Sequence, residues 1–142
     1  MGGVSNGTLA HADVTGPILR AFFVVYNELG YGFGEGVYRR ALQIVVRAAG
    51  LHAVAEVPLD VHFRGTLIGR FYADLVVERV VLVEIKAAAT IESYAEAQLL
   101  NYLKAAGGGV GMLLNFGRQP TFKRLVLGDP TGSLPRLHCP GE

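Results

Sequence analysis

The chain reads first as helix and then as strand. Residues 18–29 (ILRAFFVVYNEL) are apolar with a helical lean, and Gly30 stands where such a helix would end. A break follows at Tyr31-Gly32-Phe33-Gly34. Residues 35–49 then place Val37, Ala41, Ile44, Val45 and Ala48 at helical spacing, with Arg39, Arg40 and Arg47 elsewhere on the helix surface, before Gly50. Beyond it the period falls to two. Val57, Leu59, Val61 and Phe63 alternate with Pro58, Asp60, His62 and Arg64, which predicts a strand with one wet face and a turn at Gly65. Residues 67–77 predict a second strand. Residues 80–86, almost all apolar, predict a third at the centre of a sheet.

Thr90 is placed to cap a helix over 91–106, whose Ile91, Ala95, Leu99 and Leu103 form an apolar stripe that ends at Gly107-Gly108-Gly109. Two more strands are predicted over 110–116 and 122–127. The order α-α-β-β-β-α-β-β, a meander followed by a helical crossover, implies an α/β fold of the α+β kind, with a mixed sheet flanked by helices. Residues 16–127 form the expected domain. Residues 1–15 read as a flexible tail and the Pro- and Gly-rich residues 128–142 as an irregular one.

Composition narrows the picture. At 142 residues one domain is the default size, and 51% hydrophobic against 18% charged residues excludes disorder. No run of about 18 apolar residues is present to cross a bilayer, and no Lys or Arg precedes Arg20 as a secretory signal would need. The single cysteine, Cys139, forms no intrachain disulfide or C-x-x-C zinc site, which fits a reducing, cytoplasmic setting. His11, His52, His62 and His138 lack metal-ligand spacing. The formal charge of +1 gives no strongly basic surface; setting the candidate acids and lysine aside leaves a modest basic excess.

The chemistry lies in charges set inside apolar strands. Asp74 occurs in FYADLVV, and Glu84 and Lys86 in VVLVEIKA. A carboxylate is expensive to bury unless paired, hydrogen-bonded or bound to metal. Glu84 and Lys86 share a strand face. A loop centred on Arg79 sets Asp74 directly opposite Glu84, whereas a strict two-residue turn at Glu78-Arg79 would put the acids on opposite faces. Two adjacent carboxylates repel, and a divalent cation such as Mg²⁺, which takes one or two carboxylates and keeps several waters, removes the conflict. Lys86 beside it can orient a water and stabilise negative charge. An internal Asp-Lys-Glu ion-pair network accounts for the same spacing equally well. Gln98 and Tyr102 share one face of the third helix. Glu35 and Tyr38 share the first turn of the second, where a carboxylate is favoured by the dipole. Glu56 reads as a solvated opening of the first strand.

Together, Gly32-x-x-Glu35-x-x-Tyr38, Asp74, Glu84-Ile85-Lys86 and Gln98-x-x-x-Tyr102 resemble the GxxExxY family of the PD-(D/E)XK nuclease superfamily, over residues 20–127. Ala73 stands where the superfamily has Pro, and Gly34 and Gly36 flank Glu35 where bulkier residues are usual. The resemblance implies a restriction-endonuclease-like αβββαβ core. It also implies a catalytic set of Glu35, Asp74, Glu84 and Lys86, with Asp74, Glu84 and the backbone carbonyl of Ile85 as metal ligands. Mg²⁺, with Mn²⁺ as substitute, is the implied cofactor. Tyr38, Gln98 and Tyr102 are expected to position substrate. The expected activity is hydrolysis of DNA phosphodiester bonds, acting with a second copy of the chain or a protein partner and without a membrane. The alternative is a non-cleaving nucleic-acid- or protein-binding module on the same fold.

Overall fold

In a computed structural model that describes residues 10–137, eight elements follow the anticipated order. They are α1 (Ala12–Leu29), α2 (Glu35–Ala48), β1 (Ala53–Phe63), β2 (Thr66–Val77), β3 (Val81–Lys86), α3 (Ser93–Ala105), β4 (Gly109–Phe116) and β5 (Pro120–Leu127). The sheet order is β1-β2-β3-β4-β5. All neighbours are antiparallel except β3 and β4, which run parallel because α3 crosses over between them. The result is the α+β mixed sheet flanked by helices that the element order implies, with β3 central.

Strand alternation sorts the core into two layers. Val81, Val83 and Ile85 of β3 join Val14, Ile18, Phe22, Leu42 and Val46 of α1 and α2 on one face. Leu82 joins Val76, Leu113 and the α3 stripe of Ala95, Leu99 and Leu103 on the other. Helix α3 lies close on β4. A Cβ at Gly111 would meet the Leu99 and Leu103 methyl groups at 3.0–3.1 Å, so glycine sets the spacing of helix and sheet.

Several boundaries differ from the sequence reading. Helix α1 begins at Ala12 and runs through Gly16 and Pro17, both poor helix formers; Val14 and Thr15 are buried, and that burial outweighs the local preference. The residues from 12 to 15 are therefore helix rather than tail. Helix α3 is capped at Glu92 rather than Thr90, with no side-chain cap bond. Strand β1 opens at Ala53, so Glu56 lies inside it. The chain after β5 is irregular as expected, yet Leu134 and Leu137 are buried against the α3 layer and the Leu134 N–H donates to the Arg79 carbonyl. His138 and Cys139 lie outside the described residues, as do residues 1–9 of the anticipated tail. Among the described residues no helix is long and apolar enough to cross a membrane.

The β1-β2 pair changes phase along its length. Ala53, Ala55, Leu75 and Val77 face the α1/α2 layer, whereas Val57, Leu59 and Ala73 face α3. The switch falls at Glu56, whose φ is +54°, a conformation uncommon outside glycine that reverses the alternation of side chains. Beyond it the paired strands run past the end of β3 as an arm beside α3. Phe63, expected on the buried side of β1, is exposed there, 59% accessible.

Candidate active site

Strand β3 pairs with β2 only through Leu75↔Val83, Val76↔Leu82 and Val77↔Val81. The turn that sets this register has Glu78 and Arg79 at φ 53° and 62°, with the Val77 carbonyl accepting from the Val80 N–H at 3.1 Å. Val80 is the third loop residue, so the loop is centred on Arg79. Continued by one residue, this register sets Asp74 opposite Glu84. There the backbone ladder gives way to side chains. The Ile85 N–H donates to Asp74 Oδ2 at 2.8 Å, and the Asp74 N–H donates to Glu84 Oε1 at 3.1 Å. Each carboxylate occupies an amide of the opposite strand, which fixes both acids at the point where β2 leaves β3.

Three elements complete the cluster. From α3, Gln98 Oε1 accepts from Lys86 Nζ at 3.0 Å, and Tyr102 lies one turn on, with its ring 5.7 Å from that of Phe71. From α2, Arg39 Nη1 is 3.7 Å from Asp74 Oδ1 and Nη2 is 3.4 Å from Glu56 Oε1. Glu35, one helical turn before Arg39, is exposed and acts on both acids through its charge. Among the described residues no ion pair joins Lys86 to Asp74 or Glu84. Lys86 acts on both acids through its charge, without an ion-pair contact to either.

The electrostatics follow from burial. Glu84 is 6% exposed, and loss of solvent, reinforced by the charge of Asp74, raises its pKa to about 8. Burial also raises Asp74, because the Ile85 amide and Arg39 offset only part of the cost. Tyr102 is raised in turn by burial and by the charges of Glu84 and Asp74. Two carboxylates that resist ionising side by side form a site short of positive charge. Among the described residues no three His, Cys, Asp or Glu side chains gather as a metal cage. The donor set is two carboxylates, which suits an oxygen-preferring ion that keeps its waters and not a closed tetrahedral zinc site.

A sequence model of the PD-(D/E)XK nuclease superfamily matches residues 12–125, from the start of α1 into β5. The chain belongs to the PD-(D/E)XK nuclease superfamily. Among solved structures, the crystal structure of SSO0001 is similar in fold, with a TM-score of 0.53 and 15% identity over 72% of this chain. This chain spans 55% of that one, about half its length. No curated protein sequence matches it.

Not every anticipated residue of this PD-(D/E)XK domain joins the cluster. Tyr38, read as a substrate-positioning residue, is fully buried in the α1/α2 layer and stacks on Phe116 at 4.3 Å. Its hydroxyl donates to the Gly30 carbonyl at 2.7 Å and accepts from the Phe33 N–H at 3.3 Å, tying down the α1–α2 loop. No substrate can touch it. Its spacing from Glu35 put both in one turn, but the core took that side of the helix. Ile85 places its side chain in the same layer, so only its backbone is available to the site. Arg39 was assigned to the helix surface, although its i, i+4 relation to Glu35 was the available signal. Asn115, fully buried, makes reciprocal bonds at 2.9 Å with the Ala88 N–H and carbonyl, and a Cβ at Gly117 would overlap that carbonyl. This pair anchors the chain leaving Lys86.

Proposed function

We propose that this domain is a metal-dependent nuclease of the GxxExxY family, hydrolysing phosphodiester bonds of DNA. The observation that carries the reading is the interlocked pair of acids. Asp74 and Glu84 are held side by side at a strand junction, where burial and mutual repulsion outweigh the charges of Arg39 and Lys86. Such an arrangement raises the cost of the metal-free fold, and a bound cation offsets it.

Asp74, Glu84 and the Ile85 carbonyl would hold Mg²⁺, with Mn²⁺ as substitute. When bound, the ion supplies a water of lowered pKa and neutralises charge on the phosphate. The remaining work belongs to the chain. The Asp74 and Glu84 carboxylates are oriented in advance by backbone amides. Arg39, half-shared with Glu56, favours the ionised form of Asp74. Gln98 holds the Lys86 ammonium by one proton, leaving two to donate to a non-bridging phosphate oxygen and to align the attacking water. Tyr102 presents a hydroxyl that stays protonated and so can donate to the same phosphate. Glu35 adds negative charge at the rim and attracts the cation.

The test is cleavage of single-stranded, duplex and branched DNA with Mg²⁺ or Mn²⁺. Lys86→Ala should lower the rate by roughly 10²–10³-fold while the fold is retained. Failure of the wild-type chain to cleave any of these DNAs, or cleavage that ignores Lys86→Ala, would overturn the reading.

A further inference from the structure

Gln98 and Tyr102 face two ways. Besides bordering the acids they line a groove of about 1040 Å³ between the β1-β2 arm and α3, floored in part by Pro135 and Arg136 of the C-terminal segment. The groove gathers aromatic rings that the core does not use. Phe63 is 59% exposed, Phe71 46% and Tyr94 73%, and with Tyr102 they converge on this one cavity. Large rings left in water are unfavourable unless something covers them. Its charge leans one way. Lys104 and Arg136 lie exposed along it, and Asp60, the single acid in its lining, is bound by Arg70 at 2.6 and 3.2 Å.

We propose that this groove is the track by which single-stranded DNA reaches Asp74 and Glu84. Bases stack on Phe63, Phe71, Tyr94 and Tyr102, and phosphates follow Lys104 and Arg136. The inference rests on the nuclease reading above and names its substrate class. Rings can stack only on base faces that are open, and in a duplex those faces are covered by neighbouring pairs. A stacking wall with a cationic border is complementary to an unpaired strand and to the sequence-tolerant binding a general nuclease requires. Pro58, Val61, Ile68 and Ala97 add apolar surface to the wall between the rings. The arm that forms the groove is the part of β1 and β2 beyond Glu56 and Asp74, where β2 no longer pairs with β3, so the groove begins at the acids.

Fluorescence anisotropy of the full chain in EDTA, where cleavage cannot interfere, tests this with labelled oligo(dT) and a blunt duplex of equal length. Oligo(dT) should bind at least about tenfold tighter than the duplex. Phe71→Ala and Tyr94→Ala should each weaken it roughly tenfold, and joint replacement of Lys104 and Arg136 by Ala should reduce the salt slope of log affinity by about 1.4. Tyr94 is exposed enough that its variant keeps the melting temperature, so the test stands even if Phe71→Ala unfolds. Equal or tighter binding of duplex, or unchanged binding by Tyr94→Ala, overturns the proposal. Oligo(dT) binding as predicted without cleavage in Mn²⁺ would sustain the groove and sink the nuclease reading. Cleavage indifferent to Tyr94→Ala would do the reverse.

Discussion

The two faces of the sheet bury similar aliphatic residues but treat their centres differently. On the α1/α2 face Phe22 meets Phe116 edge-on at 4.8 Å, Tyr38 stacks on the same ring, and the buried Tyr38 hydroxyl is satisfied locally by the Gly30 carbonyl. On the α3 face the apolar series of β3 stops at Leu82, and the next inward position is Glu84. The first face is built for cohesion. The second gives up cohesion at one end to keep charges in place, the exchange expected where stability and function compete. Substitutions on the two faces should therefore act in opposite directions.

The largest effect should come from the cohesive face. Phe22→Ala removes a fully buried ring that meets three other aromatics and should destabilise by about 3–5 kcal/mol in urea unfolding. A loss below about 1 kcal/mol would mean that this layer is less tightly packed than its contacts indicate.

On the charged face the sign should invert. Glu84 has a folded-state pKa of about 8 against an ordinary value of 4.5, so the folded chain binds an extra proton between those pH values. Its contribution is thus fully present below about pH 4.5 and is lost as pH rises toward 8. Glu84→Gln keeps an oxygen to accept the Asp74 N–H and cannot ionise. It should raise metal-free stability at pH 8 by up to a few kcal/mol and flatten the pH dependence across that window. Mn²⁺ should do the same for the wild type, raising unfolding free energy by about 2.7 kcal/mol at a hundred times its dissociation constant, and should do far less for Asp74→Asn. Thermal melts at several pH values, with and without Mn²⁺, would read both, and a wild-type melting temperature indifferent to pH and metal would contradict them.

The smallest effect separates Tyr38 from the site. Tyr38→Phe should cost about 1 kcal/mol through the lost bond to Gly30 and leave cleavage unchanged, because the ring stays stacked on Phe116. A large drop in cleavage with stability intact would return Tyr38 to the functional set.

What the amino-acid order determined by itself were features governed by neighbours in the chain. The period-two run of β3 put Glu84 and Lys86 on one face, and the stripe of Ala95, Leu99 and Leu103 left Gln98 and Tyr102 on another side of α3. For Asp74 the sequence left two turn lengths open, and the folded chain chose the loop centred on Arg79 that aligns it with Glu84. Contacts between distant segments were decided only in the folded chain. Periodicity says which residues share a face but not which layer will cover it, so Tyr38 and Arg39, adjacent on α2, went to the core and to Asp74 respectively. Nor does local preference foresee a positive φ at Glu56 or the register shift between Val61 and His62. Beyond Glu56 the strand pair buries Val57 and Leu59 against α3, and past the register shift Phe63 is left exposed, because such irregularities depend on contacts between distant segments that no local pattern encodes.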